Sequence, residues 1–282
     1  MQLWILMIAC RRAIPVPVSP PEEDPSAQWA AVLKKIASPK GVDYALLAKE
    51  RDSLDQYVAW AADNGPQQNR RKNKRWPRKY RSNREISHFV NAYNAWVLYS
   101  VLEHSPISSV QDVNSGIWTQ PNVGFFFGQR FKVDGEHISL HHLEQERLLA
   151  DYTEPLIHVM LNCASKGCPP LQFWEYKTMN RDARRALKTF LSSDQGARKV
   201  DDRWQLSELF QWYEHDFIDW SDAQNLCEYL RPFAADDLKV YLSGPQCDLQ
   251  FFAYDWQLNN VNTSANSPLD SKSVKDYQRG YP

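Results

Sequence analysis

The sequence predicts an α+β fold that is mostly helical and contains a small antiparallel sheet. Three observations support this prediction. Aromatic residues make up 13% of the 282 residues while glycine is sparse, at 10 residues, which favours a packed and largely helical core. Several segments place apolar residues at helical spacing. Only a few short segments show the alternation that is typical of strands.

Composition and charge exclude several classes of protein. Hydrophobic residues make up 43% and charged residues 24% of the chain, as in an ordinary soluble globular domain. The formal net charge of −1 gives no overall positive field, so nucleic acid is not an expected partner. The sequence has no run of about 18 apolar residues, which excludes a multi-pass membrane protein.

Helices are predicted along the whole chain. Residues 27–36 form the first, with Ser26 as its N-cap, and residues 45–62 form the second. Residues 86–102 are apolar nearly all round, so this helix should be central. Two later helices are expected at residues 181–192 and 222–230.

Two asparagines on the predicted central helix are candidate binding residues. Asn91 and Asn94 lie three residues apart, hence on one face of that helix. Buried amides need hydrogen-bond partners. We therefore expect these two either to tie neighbouring loops together or to line a ligand cavity.

Short strands are predicted between the later helices. A hairpin with a tight turn at Asp134-Gly135 should precede a helix capped by Ser139. The remaining predicted strands are residues 156–161, 204–206 (followed by a helix that Ser207 caps) and 249–254.

The two ends of the chain are predicted to lie outside the domain, which should span residues 27–260. Met1–Ala9 are almost wholly apolar and precede Cys10, as at the end of a bacterial lipoprotein signal. Residues 13–26 contain five prolines and suit a spacer. We therefore expect export to the periplasm or cell envelope, with a lipid anchor on Cys10. Residues 261–282 are polar and predicted to be disordered.

Residues 70–84 hold nine Lys or Arg and no acid, and resemble an insertion. Cations with interleaved rings suit a phosphate backbone, and such a segment also suits an anionic membrane surface. The favoured interpretation is a solvated loop between two helices, because charge runs are usually solvated.

The segment 156–170 carries the candidate chemistry. On a strand, His158 and Asn162 would share one face and Cys163 would pack in the core. Pro169-Pro170 stiffens the chain after Cys168, and a returning loop could bring that thiol to His158. Cys168 is therefore the predicted nucleophile, His158 its base, and Asn162 the group that orients the histidine or binds substrate.

Other roles for the cysteines stay open. The five cysteines are Cys10, Cys163, Cys168, Cys227 and Cys247. Without Cys10, four remain, which allows two disulfides in three pairings, including a local bond between Cys163 and Cys168. Zinc held by His141-His142 is a weaker alternative, since adjacent histidines on a helix point about 100° apart. No metal and no cofactor is expected.

Several motifs along the chain form a recognisable combination: Val90–Ala95, Ser139-Leu140 followed by Glu144, His158 with Asn162–Ser165, Cys168–Leu171, and Tyr254–Asn259. On these motifs the chain resembles the DUF547 family from about residue 29 to residue 259. The resemblance implies an exported protein, since bacterial members are commonly exported. It hints at thiol chemistry, because some eukaryotic relatives join this domain to glutaredoxin modules. Glu144 is a further candidate binding residue.

Three departures from the family pattern concern the predicted site. The basic segment 70–84 is extra, His141 and His142 stand where aspartates often follow the Ser-Leu pair, and Gly167 stands where a serine commonly precedes the second cysteine. These changes put a shared activity in question.

The leading functional expectation is a thiol-dependent hydrolase or acyl transferase of the cell envelope that acts on a small molecule or peptide. Its Cys/His pair and its helix-then-sheet order suggest, by analogy only, a papain- or transglutaminase-like arrangement. One alternative is a non-catalytic envelope module that binds a ligand through Asn91, Asn94 and Trp96. The other is a thiol redox protein that uses Cys163 and Cys168.

Overall fold

The computed structural model describes residues 12–67, 81–114, 120–245 and 247–262. It confirms an α+β fold. The helices are α1 (Ser26–Ile36), α2 (Tyr44–Lys49), α3 (Arg51–Asp63), α4 (Arg81–His104), α5 (Val123–Phe126), α6 (Leu140–His142), α7 (Ile157–Met160), α8 (Met179–Leu191), α9 (Glu208–Trp212), α10 (Glu214–Asp219), α11 (Leu226–Leu230) and α12 (Asp236–Tyr241). Short 3-10 turns lie at Val110–Asp112 and Arg231–Phe233, and a π-helical segment spans Leu143–Leu149.

Helix α4 is the central element, as its apolar sequence predicted. Ala92, Ala95 and Val97 are fully buried in it, and it packs against α3, α8 and the π-helical segment. The predicted helix 45–62 is two helices, because the chain breaks between α2 and α3 at Glu50. Asp43 begins α2 by accepting a hydrogen bond from the Leu46 N–H at 2.9 Å.

The strands form three small sheets. They are β1 (Arg12–Ala13), β2 (Ala37–Ser38), β3 (Gly41–Val42), β4 (Gln129–Val133), β5 (Glu136–Ile138), β6 (Ala197–Val200), β7 (Arg203–Ser207) and β8 (Gln250–Phe252). Their orders are β1-β4-β5, β2-β3 and β6-β7-β8. The β4–β5 hairpin is confirmed, but the β1–β4 and β7–β8 pairs are parallel. Two of the sheets are therefore mixed rather than antiparallel. The papain-like arrangement stays a prediction.

The predicted strand 156–161 is wrong, because Ile157–Met160 is one turn of helix. The Ile157 N–H donates to the Glu154 carbonyl at 3.0 Å and the Leu161 N–H to the Ile157 carbonyl at 3.1 Å. A short apolar run fits a buried strand and a buried helical turn equally well, so periodicity alone could not separate them. His158 and Asn162 therefore do not share the face of a strand.

The beginning of the predicted spacer packs on the domain. Arg12 and Ala13 pair with β4, and Ile14 is buried. Residues 1–11, which include the signal-like segment, and residues 263–282 of the predicted tail lie outside the described residues. So do residues 70–80 of the basic segment, while Arg81 begins α4. Within the described ranges, no helix combines the length and the apolar character that crossing a bilayer requires.

Candidate functional site

A small cavity brings together the cysteines, one histidine and one buried carboxyl of the predicted site. It is open to solvent on one side and has a volume of about 50 Å³. Its lining comes from distant parts of the chain: Tyr93, Phe126, His141, Glu144, His158, Leu161, Cys163, Cys168, Pro169, Leu209, Trp212, Tyr213, Tyr254 and Trp256. We call it the thiol cavity.

The loop that carries the two cysteines is held by buried asparagines. Asn162 donates its N–H to Asn94 Oδ1 at 2.8 Å and its side-chain amide to the Pro169 carbonyl at 2.8 Å. Its Oδ1 accepts from the Ala164 N–H at 3.0 Å. Ala164 has a φ of 64°, a left-handed conformation that turns the chain sharply after Cys163. This turn directs the chain back so that Cys168 meets Cys163.

The two thiols are in direct contact. Cys163 Sγ and Cys168 Sγ lie 2.7 Å apart, and the Cys163 N–H donates to Cys168 Sγ at 3.0 Å. The Tyr254 hydroxyl lies 3.1 Å from Cys163 Sγ and 3.0 Å from Cys168 Sγ. Both cysteines are free thiols and partly buried. The site is therefore a dithiol with one tyrosine bridging both sulfurs.

Electrostatics distinguish the two thiols. Burial raises the pKa of Cys163, but hydrogen bonds with Cys168, Ser165 and Tyr254 more than offset this and hold that pKa below its ordinary value. Burial, together with the hydrogen bond and the charge of Cys163, raises the pKa of Cys168 well above its ordinary value. The pair thus favours a Cys163 thiolate beside a protonated Cys168. The sequence-based choice of Cys168 as the nucleophile stays a prediction, and Cys168 Sγ accepts hydrogen bonds from the Cys163 N–H and from the Tyr254 hydroxyl.

His158 is buried and paired with Asp216. Its Nε2 lies 2.8 Å from Asp216 Oδ2, and its ring stacks on Tyr213 with centroids 3.8 Å apart. Burial lowers the pKa of His158, although Asp216 opposes this shift. A carboxylate only accepts hydrogen bonds, so Nε2 carries the proton and the neutral ring keeps Nδ1 as an acceptor. The buried Nδ1 has no hydrogen-bond partner.

Glu144 is a buried carboxyl in the thiol cavity. It lies in the π-helical segment, a rare geometry that is frequent at functional sites. Tyr213 donates to its Oε1 at 2.9 Å and Tyr93 to its Oε2 at 3.3 Å. Burial raises the pKa of Glu144, and the hydrogen bonds with Tyr213, Tyr93 and Gln145 oppose the shift.

Gly167 lets the Tyr254 ring lie against the cysteine loop. A Cβ at this glycine would come within 2.8 Å of the ring carbon Cε2 and 2.9 Å of Cζ. A serine, which is common at this position in the family that the sequence resembles, would therefore require a displaced ring. The absence of a side chain at Gly167 leaves room for the Tyr254 ring in the position from which its hydroxyl contacts both sulfurs.

The asparagines of the central helix bind backbone groups. Asn91 donates to the Trp174 carbonyl and accepts from the Trp174 N–H, both at 2.9 Å. Asn94 donates to the Met160 carbonyl at 2.9 Å and accepts from Asn162. These contacts tie loops to α4, which is one of the two roles that the sequence predicted. Asn162 bonds to backbone and to other asparagines rather than to His158.

Sequence reasoning missed three residues that contact His158 or the two thiols. Asp216 and Tyr213 lie more than fifty residues after His158, and no short motif connects them to it. Tyr254 belonged to a recognised motif, but nothing in its spacing pointed to the cysteines. Only the fold brings α10 and the segment after β8 against the cysteine loop.

A metal centre is not formed by the residues that the structure describes, since they contain no group of three or more His, Cys, Asp or Glu side chains placed to hold an ion. Cys227 and Cys247 form a disulfide with Cα atoms 5.7 Å apart. This is one of the pairings that the sequence left open.

Comparison with known proteins gives one result. Residues 77–191 match a family model described as "Protein of unknown function, DUF547". The match covers α4, the π-helical segment and the cysteine loop, and it confirms the resemblance for this part of the chain. No curated protein and no solved structure matches the chain.

Proposed function

The chain is a DUF547-like protein over residues 77–191, and from this premise we propose that it is a thiol-dependent hydrolase or acyl transferase. One observation carries the proposal. The cavity that holds the Cys163 and Cys168 sulfurs is also lined by His158, whose Nε2 is bound to Asp216 while its Nδ1 has no partner. A thiol nucleophile, a histidine base and a carboxylate that orients the base are the parts of covalent acyl-transfer catalysis.

The proposed reaction begins at Cys163. Its thiolate attacks the carbonyl carbon of an acyl donor, a C–S bond forms, and the leaving group departs and takes a proton from water. His158 Nδ1 then removes a proton from a second water, which attacks the thioester. The acid is released, the thiolate is restored and His158 returns the proton to solvent. In a transferase another nucleophile replaces the second water.

In this scheme His158 acts on a water molecule rather than on a thiol, because it forms no hydrogen bond with either sulfur. A water needs about 10–15 Å³ of such space, so the cavity volume of about 50 Å³ accommodates a few. A base acts through one water as well as directly. We therefore assign His158 to the deacylation step rather than to activation of the thiol, which the hydrogen bonds around Cys163 already favour.

The test is acylation by a small activated ester such as p-nitrophenyl acetate. We expect mass spectrometry of the reduced protein to find the acetyl group on Cys163, and we expect His158→Gln to keep the group on Cys163 longer. Cys163→Ser should remove the adduct. Acetylation of surface lysines alone would refute the proposal.

A second candidate function, dithiol redox exchange, is favoured by the sulfur contact of 2.7 Å. The Cys163 thiolate would attack a substrate disulfide and release one substrate thiol. Cys168, after losing its proton, would attack Cys163 Sγ, form the Cys163–Cys168 bond and release the second thiol, so that two electrons pass to the substrate. Glutathione buffers of graded potential, followed by thiol trapping, test this candidate. A pair that stays reduced throughout would eliminate it.

We also propose that the protein works in the cell envelope. The Cys227–Cys247 disulfide supports an oxidising compartment, and the signal-like residues before Cys10 agree with export. Anchoring through Cys10 and contact of residues 70–84 with an anionic surface belong to the same proposal. Fractionation of the producing cell with radiolabelled palmitate tests it, since a Cys10→Ser variant should lose the label. An unlabelled cytosolic protein would refute it.

A further inference from the structure

The thiol cavity has an unusual balance of charge. Among the described residues that line it there is a buried carboxyl, Glu144, but no Lys and no Arg. None of the described residues forms an ion pair with Glu144. A buried carboxylate without a cation is costly, since hydrogen bonds replace only part of its hydration. Apart from His141 and His158, the described residues of the lining include no side chain that could place a positive charge beside the Glu144 carboxylate.

Much of the lining of the cavity is aromatic. Trp212 and Trp256 stack with centroids 5.9 Å apart, and Tyr254 lies 4.9 Å from Trp212 and 4.8 Å from Trp256. Tyr93 and Tyr213 also line the cavity, and both donate to the Glu144 carboxylate. The faces of such rings attract cations, most strongly where water is excluded. Aromatic walls and a carboxylate together are the surroundings that bind an ammonium group.

We propose that the thiol cavity binds the primary ammonium end of an amine-bearing ligand, with Glu144 as its counter-ion. The cavity volume of about 50 Å³ accommodates an ammonium group with one or two carbons. The inference deepens the proposed function, on which it rests, by naming the substrate class as amines.

The test measures binding without any turnover. Ethylammonium, ethanol and acetate, which are similar in size and differ in charge, are titrated into the intact protein while its tryptophan fluorescence, to which Trp212 and Trp256 of the cavity contribute, is followed. We expect saturable binding of ethylammonium at least tenfold tighter than that of ethanol, and none of acetate. Equal binding of ethanol and ethylammonium would overturn the proposal.

Two variants localise the effect. Glu144→Gln keeps an acceptor for the tyrosine hydroxyls and removes the charge, so ethylammonium binding should weaken at least tenfold. Glu146→Gln is the matched control in the same π-helical segment, since its side chain is 68% exposed, and it should bind as the wild type does. Unchanged binding in Glu144→Gln would overturn the proposal. If that variant fails to fold, protection of Cys163 from alkylation by ethylammonium, but not by ethanol, decides in the wild type.

The binding and acetylation experiments test amine binding and the thiol enzyme separately. Binding by Glu144 without acetylation of Cys163 would leave an amine-binding module and refute the thiol enzyme. Acetylation of Cys163 without selective ammonium binding would keep the thiol enzyme and refute the amine as its substrate class.

Discussion

The Nε2 of His158 lies 2.8 Å from Oδ2 of Asp216, although 58 residues of sequence separate them. The bond joins α7 to α10 and decides which ring nitrogen carries the proton. Because the carboxylate is an obligate acceptor, Nδ1 is the nitrogen that remains available to a reacting group. The function proposed for the site depends on this pairing.

Replacement of Asp216 by Asn should weaken the histidine as a base. Both the hydrogen bond and the charge of Asp216 raise the pKa of His158 against the lowering effect of burial, so Asp216→Asn should lower that pKa further. NMR titration of the His158 ring measures the shift. The acetyl group on Cys163 should also persist about 10²-fold longer or more, the lower range for general-base catalysis. Asp219→Asn, at an exposed position of the same helix, serves as control, and equal effects of the two variants would contradict this prediction.

The reactivity of Cys163 should depend on its two neighbours. Cys168→Ala and Tyr254→Phe each remove a hydrogen bond that lowers the pKa of Cys163, so each should raise that pKa towards the free-thiol value of about 8.5. Alkylation rates against pH, with the modified residue identified by mass spectrometry, measure it. In the wild type, Cys163 should react at a lower pH than Cys168. The reverse order would restore Cys168 as the nucleophile that the sequence suggested.

The two asparagines of α4 should differ in their effect on the thiols. Removing the Asn91 amide leaves the Trp174 N–H and carbonyl without this partner. Removing the Asn94 amide strands the Asn162 N–H, while the Met160 carbonyl still accepts from Trp174 Nε1 at 3.1 Å. Each stranded buried group costs about 1–3 kcal/mol, so both Asn91→Ala and Asn94→Ala should lower the urea midpoint. Only Asn94 bonds to Met160 and Asn162 beside the cysteine loop. Asn94→Ala should therefore change the alkylation rate of Cys163, whereas Asn91→Ala should leave it near the wild-type rate. Equal changes would mean that general loosening, not the Asn94 contact, governs the loop.

His88 should make the fold sensitive to acid. Its ring is buried against Trp60 and Phe89, and burial lowers the pKa of His88 to about 4. Since the unfolded chain takes up this proton near pH 6.5, the stabilisation is full above that pH and is lost as the pH falls towards 4. The free energy of unfolding should drop by about 3 kcal/mol from this residue between those limits.

The measurement is chemical denaturation of His88→Phe and wild type at pH 7, 5.5 and 4. The variant should show the smaller loss on acidification, whereas His215→Gln, at an exposed position, should follow the wild type. Parallel curves for His88→Phe and wild type would contradict the assignment.

The disulfide should contribute measurably to stability. Cys227 and Cys247 close a loop across 20 residues, for which chain-entropy arguments give about 3 kcal/mol. Cys247→Ser should lower the free energy of unfolding by this amount, and reduction of the wild type should give the same value. A loss below about 1 kcal/mol would show that the loop is already restricted in the unfolded chain.

Local patterns predicted most of the elements but not the shape of the site. The β4–β5 hairpin followed from Asp134-Gly135, and Ser139 and Ser207 cap their helices as expected, because turns and caps depend on neighbouring residues. The strand predicted at 156–161 failed because its residues are buried on all sides, which removes the periodicity that would distinguish a strand from a helix.

The candidate site stays a prediction, but the structure shows which of its residues lie together. His158, Cys168 and Glu144 line one cavity with Cys163, for which the sequence favoured a place in the core, whereas Asn91, Asn94 and Asn162 do not line it. Their roles depend on groups that lie far away in the sequence. Asp216 and Tyr254 change the ionisation of His158 and of the thiols through contacts that only the folded chain creates, so no local motif could assign the proton to one sulfur.

The missing side chain at Gly167 has a consequence for sequence variation among related proteins. Because the Tyr254 ring occupies the space of its Cβ, a side chain at position 167 would have to displace that ring. A related chain with serine at position 167 and tyrosine at position 254 should therefore hold the tyrosine hydroxyl away from its present place beside the two sulfurs. The identity of one inconspicuous loop residue would then report, in any related sequence, whether its dithiol has this third member.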